Sequence, residues 1–392
     1  MKPRYDVVIV GGGAIGSAIA AFLAMAPDFD GSVLVVEKDP SYAKCSTTLS
    51  AGSIRQQFST PVNIAISRFG IDFLKHVDAH LAVDGEAPDI GFVEGGYLFL
   101  ATARGLATLE ANHRVQRAEC ADVVLLDPAA LAARFPWLAT EGLAAGSLGL
   151  RDEGWFDPYA LLQAYRRKAR SRGVAYVADT VVDLDLAGRR VAEVVLASGQ
   201  RVACGTLVDA AGIRAADIAT MAGLVLPVRP RKRIVYVFDC RSPVPGLPLL
   251  IHPNGVWVRP ESGQFICGVS PPAEDDPDCD DFEIDYRWFE ELIWPTLAAR
   301  IPAFEAIKQT RAWAGHYAHN LFDQNAVLGR HPEIANFLFA NGFSGHGLQQ
   351  SPAVGRGLAE LIVHGAYRSL DLSALDYARI PENRPVREQA VV

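Results

Sequence analysis

The sequence lacks features that would place it among membrane, metal-binding or nucleic-acid-binding proteins. Its longest nearly apolar run, residues 18–26, is too short for a bilayer-spanning helix, which needs about 20 residues. The six cysteines include no CxxC pair, and the nine histidines form no cluster at metal-ligand spacing, so we expect free thiols and no metal site. A formal net charge of −8 argues against nucleic acid as the main partner.

The composition is that of a globular protein with a large core. Half of the 392 residues are hydrophobic and 21% are charged. No targeting segment is recognisable before the first strand-like run, and we expect a soluble, cytoplasmic protein.

Two charged segments stand out locally. Residues 229–233 read RPRKR, and this run is either a solvated strand entry or a positive rim that attracts an anionic substrate. Residues 271–281 are acidic and contain proline, and we expect an exposed loop there.

The beginning of the chain has the pattern of a doubly wound α/β sheet. An apolar run at residues 5–10 predicts a buried parallel strand, small residues up to position 26 predict a helix, and residues 32–36 predict a second strand that ends at Glu37. Caps predict helices that begin after Asp157, Asp127 and Ser351, each of which precedes a proline.

Strand-like patterns recur later in the chain. Alternating runs around Gly188 predict a hairpin, and short strands among prolines at residues 227–270 predict a second, antiparallel sheet. The last predicted helix should end at Gly365, which can adopt a left-handed conformation.

A glycine-rich turn follows the first strand. Residues 11–16 read GGGAIG and satisfy GxGxxG, in which the glycines permit a tight turn, approach of a pyrophosphate and close helix packing. A carboxylate at Glu37 can accept both hydroxyls of an adenosine ribose. We therefore predict contacts to a dinucleotide from Gly11, Gly13, Ala14, Ile15, Gly16, Glu37 and Lys38.

Later segments resemble those of FAD-dependent oxidoreductases. Residues 206–212 (TLVDAAG) resemble the strand and glycine that return to the ADP moiety, and no second GxGxxG provides for a nicotinamide. Residues 45–58 (CSTTLSAGSIRQQF) and 341–350 (NGFSGHGLQQ) resemble the two flavin-contacting segments of the D-amino-acid oxidase and sarcosine oxidase superfamily. Residues 313–317 (WAGHY) and 322–325 (FDQN) resemble, more narrowly, a branch that includes a respiratory complex I assembly protein and its bacterial relatives.

The resemblance implies a Rossmann-like, GR2-type FAD-binding domain with a second, antiparallel-sheet substrate domain. The FAD-binding domain takes residues 1–85, 150–224 and 325–370, the substrate domain takes residues 86–149 and 225–324, and a C-terminal tail follows at 371–392. The further FAD contacts that it implies are Ser46, Thr47, Gly52, Ser53, Val181, Ala211, Gly212, Gly345, His346, Gly347, Leu348 and Gln349.

The resemblance also implies the substrate site. Arg55 matches an arginine that holds a substrate carboxylate, although a surface or structural salt bridge is an equal alternative. Gln349 stands where the sarcosine oxidase branch has a second, cationic anchor. Tyr317 and Trp257 match aromatic residues of the substrate face or belong to the core. His346 is either a general base or a group that packs beside the cofactor.

Two departures from the sarcosine oxidase branch bear on the electron acceptor and on attachment of the flavin. Ile266 replaces an oxygen-activating lysine, which favours a dehydrogenase that passes electrons to a quinone or a carrier protein over an oxidase that uses O2. Gly315 replaces the cysteine that tethers the flavin, so we predict noncovalent FAD.

The function that follows is transfer of a hydride to flavin N5 from a small amine or amino acid that resembles sarcosine, glycine or a D-amino acid. Oxidation of a 2-hydroxy acid and an FAD-holding assembly factor for a respiratory complex are the alternatives. The chain can work as a homo- or hetero-oligomer or alone.

Overall fold

The computed structural model describes residues 2–389. Within that range the strands are β1 Arg4–Val10, β2 Val33–Glu37, β3 Ser53–Ile54, β4 Tyr97–Ala101, β5 Val123–Leu126, β6 Ala145–Gly149, β7 Gly154–Trp155, β8 Ala175–Ala178, β9 Val181–Leu186, β10 Val191–Leu196, β11 Arg201–Asp209, β12 Val228–Cys240, β13 Leu249–Ile251, β14 Trp257–Glu261, β15 Gln264–Gly268, β16 Ile307–Asn320, β17 Val327–Arg330 and β18 Phe337–Asn341.

The α-helices of the same range are α1 Ala14–Met25, α2 Pro61–Lys75, α3 Val77–Leu81, α4 Leu106–Ala118, α5 Pro128–Arg134, α6 Pro158–Ser171, α7 Ala215–Met221, α8 Trp294–Arg300 and α9 Gly347–His364. A π-helical segment, Trp288–Ile293, leads into α8. Short 3-10 turns occupy Gly212–Arg214, Ala273–Asp275, Pro302–Glu305, Ser373–Leu375 and Tyr377–Arg379.

The first sheet is the predicted doubly wound sheet. Its main order is β17-β18-β11-β1-β2-β8, with β10 beside β11 and β9 beside β10. The pairs β1–β2, β1–β11, β2–β8 and β11–β18 are parallel. In β1, Val7 and Ile9 belong to the core under α1 and α9, whereas Val8 and Val10 belong to the core on the opposite side. Because both faces are covered, β1 is apolar from Val7 to Val10 as the sequence predicts, whereas Asp6 within the predicted apolar run is exposed.

The second sheet has the order β16-β12-β15-β14-β13-β4-β6-β5. All its pairs are antiparallel except β13–β4. The long strands β12 and β16 pair from Val228 and Asn320 to Cys240 and Ile307. The fold is therefore a mixed α/β fold, and the antiparallel sheet predicted within residues 227–270 is confirmed.

The strands of the two sheets come from alternating parts of the chain. Every strand of the first sheet lies within residues 1–85, 150–224 or 325–370, and every strand of the second lies within 86–149 or 225–324. This distribution supports the predicted division into two discontinuous domains, which stays a prediction.

Helix caps act as the sequence predicts at two of the three positions. The Asp157 carboxylate accepts hydrogen bonds from the N–H groups of Tyr159 and Ala160, and Asp127 caps α5 in the same way. The third prediction is wrong because α9 begins at Gly347, four residues before Ser351. Pro352 lies inside the helix, and the Ser351 hydroxyl donates instead to the carbonyl of Leu348 at 2.8 Å.

Residues 371–389 pack against the first sheet. Leu372 and Leu375 are fully buried. Arg379 and Asp323 form an ion pair in which neither side chain is exposed, with an Nε–Oδ2 distance of 2.8 Å. None of the helices described in residues 2–389 has the length and apolarity to span a membrane.

Candidate functional site

A cavity of about 490 Å³ lies between the two sheets. It is lined by the turn after β1, the loop that follows β2, the ends of β11 and β16, and the start of α9. Predicted site residues that line it are Gly11, Gly13, Ala14, Ile15, Glu37, Lys38, Ser46, Thr47, Ser53, Arg55, Ala211, Gly212, Trp257, Tyr317, Gly345, His346, Gly347, Leu348 and Gln349.

Backbone atoms of the glycine-rich turn lie very close to those of neighbouring segments. Gly11 has a positive φ of 97°, and a Cβ there would lie 2.4 Å from the carbonyl oxygen of Ala210. The N–H of Gly12 donates to Glu37 Oε2 at 2.8 Å, and the N–H of Ala14 donates to Thr47 Oγ1 at 3.0 Å. The turn is thus fixed to β2 and to the loop that contains Thr47.

Gly13 provides a test of whether a dinucleotide fits this turn. A Cβ on Gly13 would meet only Thr47 Oγ1, at an ordinary 3.4 Å. Its φ of −62° is accessible to any residue. The protein itself therefore does not require glycine here, whereas a pyrophosphate close to the backbone would. With Glu37 beside it, the turn fits the ADP part of FAD.

Three predicted cofactor residues lie outside the cavity lining, and each has a structural role. A Cβ on Gly16 would lie 2.0 Å from the carbonyl oxygen of Gly11, and one on Gly52 would lie 2.3 Å from that of Phe156. Val181 is buried in the core on the side of the first sheet opposite α1. Their direct contacts to a cofactor stay predictions that the cavity lining does not support.

The first turn of α9 faces the cavity. Gly347, Leu348 and Gln349 occupy this turn, where backbone N–H groups have no acceptor within the helix. Gly345 has a φ of 99°, and a Cβ there would overlap the Tyr317 ring at 2.5 Å. The glycine therefore lets the turn pack flat against Tyr317, with the positive end of the helix dipole toward the cavity.

Arg55, His346 and Gln349 meet at one wall of the cavity. Arg55 Nη2 lies 3.2 Å from His346 Nε2, and the Arg55 N–H donates to Gln349 Oε1 at 3.0 Å. The guanidinium lies 4.3 Å from the centre of the Phe58 ring, and its buried Nε has no hydrogen-bond partner within the described residues. The structure thus brings together the predicted anchor and its two predicted neighbours.

Glu153 does not line the cavity but holds the segment that follows Arg55, and the sequence analysis missed it. Its carboxylate is 1% exposed and accepts from the Gln56 N–H at 2.7 Å and from Gln57 Nε2 at 2.9 Å. Burial raises the pKa of Glu153 to about 7. A Cβ on Gly149 would lie 1.9 Å from Glu153 Oε2, so the glycine makes room for the carboxylate. The group anchors the residues that follow Arg55.

Another part of the cavity lining is aromatic and contains a second missed residue, Arg233. Its guanidinium lies 5.0 Å from the centre of the Tyr317 ring. Trp257, from β14, lines the same cavity. Arg233 was recognised in the sequence only as part of the basic run.

The basic run is paired with the acidic loop. Lys232 Nζ lies 2.7 Å from Asp281 Oδ1, and Arg233 binds Asp276. Arg231 is only 15% exposed and pairs with Asp278. The run is neither a free positive rim nor a simply solvated strand entry, because carboxylates of the following loop neutralise it.

The structure shows where Gly315 and Ile266 lie, the two departures from the sarcosine oxidase branch. Gly315 lines the cavity, and a Cβ there would lie 3.0 Å from Leu49 Cβ. Ile266 is 1% exposed in a small apolar cluster with Val235 and Val237.

Comparisons with known proteins agree with this geometry. The model of the family described as "FAD dependent oxidoreductase" (DAO) matches residues 6–361. FAD-dependent oxidoreductase domain-containing protein 1 of Xenopus laevis is 44% identical over 428 aligned positions, which cover 99% of this chain and 85% of the relative.

Two solved structures have the same fold. L-proline dehydrogenase from P. horikoshii is 25% identical, with a TM-score of 0.88 over 98% of this chain and 100% of that chain. Glycine oxidase from Geobacillus kaustophilus is also 25% identical, with a TM-score of 0.81 over 96% and 98%. The chain belongs to the DAO family of FAD-dependent oxidoreductases.

Proposed function

We propose that the protein oxidises a small amine or amino acid, with noncovalently bound FAD as the acceptor and a dehydrogenase rather than an oxidase reaction. The observation that carries this proposal is Arg55. It is a partly buried guanidinium on the cavity wall, and no carboxylate lies within 4.0 Å of it in residues 2–389. A substrate carboxylate would supply the missing partner.

Bound FAD would take up a hydride equivalent from the substrate carbon. The residues of the chain would bind the cofactor and orient the substrate. Gly11 to Ile15 and Glu37 would hold the ADP part, and the free N–H groups of Gly347 to Gln349 would face the developing negative charge on the ring system. Arg55 would hold the substrate carboxylate.

Around the substrate, the other predicted residues have distinct tasks. His346 accepts the Nη2 hydrogen bond of Arg55, and Gln349 fixes the backbone of Arg55. The Tyr317 and Trp257 rings would form the apolar wall beside the amine. Similarity to L-proline dehydrogenase and glycine oxidase supports an amino-acid substrate, and the buried Ile266 in place of a lysine supports a dehydrogenase.

Two positions support noncovalent attachment. Gly315 stands at the place of the tethering cysteine of the sarcosine oxidase branch. Cys45 also lines the cavity, but its thiol lies 3.3 Å from Thr48 Oγ1, and burial raises its pKa, so little nucleophilic thiolate forms. Acid denaturation should therefore release all the FAD into the supernatant, and flavin retained on the polypeptide would contradict this part of the proposal.

The test of the function is anaerobic mixing of the FAD-loaded protein with amino acids, N-methyl amino acids and 2-hydroxy acids while flavin absorbance is recorded. Bleaching by an amine supports the proposal. Bleaching by hydroxy acids alone favours the hydroxy-acid alternative, and bleaching by dithionite alone favours an FAD-holding role. Reoxidation by a quinone much faster than by O2 would distinguish dehydrogenase from oxidase.

Arg55→Met is the test variant in that experiment, and Arg117→Met is its matched control. Arg55→Met should keep the flavin spectrum and lose about 100-fold in the second-order rate of bleaching, because a charge-assisted hydrogen bond to the substrate is removed. Arg117→Met, at an exposed pair with Asp122, should react like the wild type.

A further inference from the structure

Arg233 stands on the cavity face of β12. Its neighbour Lys232, and Tyr236 three residues further along, face a separate pocket on the other side of the strand. Arg233 and Asp276 form a two-pronged pair, with Nη1–Oδ1 at 2.7 Å and Nη2–Oδ2 at 2.8 Å. The two side chains are only 12% and 11% exposed. Asp276 lines that separate pocket and not the cavity, so a ligand carboxylate in the cavity would compete with it for this guanidinium.

Asp276 belongs to the acidic loop, residues 271–281, which the ion pairs of the basic run hold against β12. Besides these pairs, the Cys279 N–H donates to the Pro230 carbonyl at 3.0 Å, and Asp278 forms an isolated bridge with Arg231. Apart from that bridge and the short turn Ala273–Asp275, the loop has no regular secondary structure. The loop is therefore held mainly by exchangeable charge pairs.

The cavity lining has an excess of positive charge. Among the described residues that line it, Lys38, Lys44, Arg55 and Arg233 are basic and Glu37 alone is acidic. Both Glu37 oxygens already accept backbone N–H groups, those of Gly12 and Asp39. Among the described residues, the Arg55 guanidinium has no carboxylate within 4.0 Å, and the Arg233 guanidinium is paired with one from the acidic loop.

We propose that Arg233 is a second carboxylate-binding residue of this cavity and that the substrate is an amine with two carboxylates, one for Arg55 and one that displaces Asp276 from Arg233. The inference rests on the proposed function and names its substrate class. The exchange keeps Arg233 paired with one carboxylate throughout, and the displaced Asp276 still has a cation nearby, because its Oδ2 lies 3.8 Å from Arg231 Nε. A substrate with one carboxylate would leave the Arg233–Asp276 pair closed.

Binding of two sulfur analogues tests the proposal without turnover. Thiodiacetate has two carboxylates and (methylthio)acetate has one, and in both the oxidisable amine is replaced. Their dissociation constants are measured by the perturbation of flavin absorbance in the FAD-loaded protein. Because neither probe is oxidised, a failure of amine oxidation in the earlier test leaves this one intact.

Three variants separate the roles. Asp276→Asn should bind thiodiacetate about tenfold more tightly, because the internal competitor is gone. Arg233→Met should bind it at least about tenfold more weakly and leave (methylthio)acetate unchanged. Asp278→Asn, on the same loop but paired with Arg231, should bind both like the wild type. Equal effects of Arg233→Met on both probes, or no tightening in Asp276→Asn, would overturn the proposal.

The wild-type protein gives an independent readout if a variant loses its flavin. Thiodiacetate should speed cleavage within residues 271–281 by a protease that cuts at aspartate, since displacement of Asp276 loosens the loop. (Methylthio)acetate should leave the rate unchanged. Equal cleavage rates with both probes would count against displacement.

Discussion

Nη2 of Arg55 lies 3.2 Å from Nε2 of His346, although the two residues are 291 positions apart in the chain. A guanidinium can only donate, so the His346 nitrogen must accept and the ring must be neutral. Burial, and secondly the Arg55 charge, lower the pKa of His346 to about 3. His346 is thereby suited to orient Arg55 and poorly suited to take up a substrate proton.

We expect His346→Ala to raise the KM for the substrate about tenfold and to change kcat little, because one hydrogen bond to the anchor is lost. His346→Gln can place an amide oxygen near Nη2 and should restore most of the affinity. The measurement is steady-state kinetics across pH 5–9. A large fall in kcat with loss of an acidic limb from its pH profile would instead identify His346 as a base.

Gly13→Ala should separate cofactor binding from folding. Because the new methyl group has ordinary space in the protein, the unfolding free energy of the apoprotein should stay within about 0.5 kcal/mol of wild type. The same methyl group would stand where a pyrophosphate approaches the backbone. FAD affinity, measured by fluorescence quenching on titration, should fall by at least about tenfold.

Gly16→Ala is the contrasting variant. Its Cβ would lie 2.0 Å from the Gly11 carbonyl oxygen, so it should destabilise the apoprotein as well. If Gly13→Ala binds FAD normally, the ADP moiety does not lie at this turn.

The helix starts at Asp157 and Gly347 show where a local sequence pattern predicts a helix start correctly and where it does not. An aspartate before a proline caps α6 as predicted, because that contact spans two or three residues. Ser351 before Pro352 has the same local pattern, yet the helix extends back to Gly347. The Ser351 hydroxyl donates to the Leu348 carbonyl, which Pro352 cannot bond because it has no N–H. A Ser-Pro pair that is typical of a helix start can therefore lie inside this helix.

Site residues were predictable where a local motif required them and not where distant partners decide their role. Gly11 and Glu37 follow from the strand and turn pattern alone. Glu153 had no local pattern, since its partner Gln56 is 97 positions away, and Arg233 depends on Asp276, 43 positions further on. Such pairings are set by the three-dimensional packing of sheet and loop.

Glu153 should make stability depend on pH. Its pKa is about 7 in the folded protein, against an ordinary 4.5, so the folded state binds the proton more tightly. The associated stability is fully present below pH 4.5 and is lost as pH rises through 7, a change of about 3 kcal/mol.

We therefore expect the unfolding free energy of wild type, relative to Glu153→Gln, to fall by that amount between pH 4.5 and 8. Urea unfolding at several pH values measures it. Glu110→Gln, at an exposed carboxylate of α4, controls for the change in net charge and should run parallel to wild type. Parallel curves for Glu153→Gln as well would mean that the carboxylate does not titrate in this range.

The segment after α9 should be essential for stability because of Arg379. Its guanidinium donates to both oxygens of Asp323, at 2.8 and 2.9 Å, and to the carbonyl of Asn325, and it is almost completely buried. Arg379→Met would leave the Asp323 carboxylate buried without its cation, and we expect the unfolding free energy to fall by about 3–5 kcal/mol. Arg384→Met, which removes an exposed pair with Glu382 in the same segment, should leave it nearly unchanged. Urea unfolding of both variants measures the difference, and equal stabilities would show that the C-terminal segment contributes little to holding the first sheet.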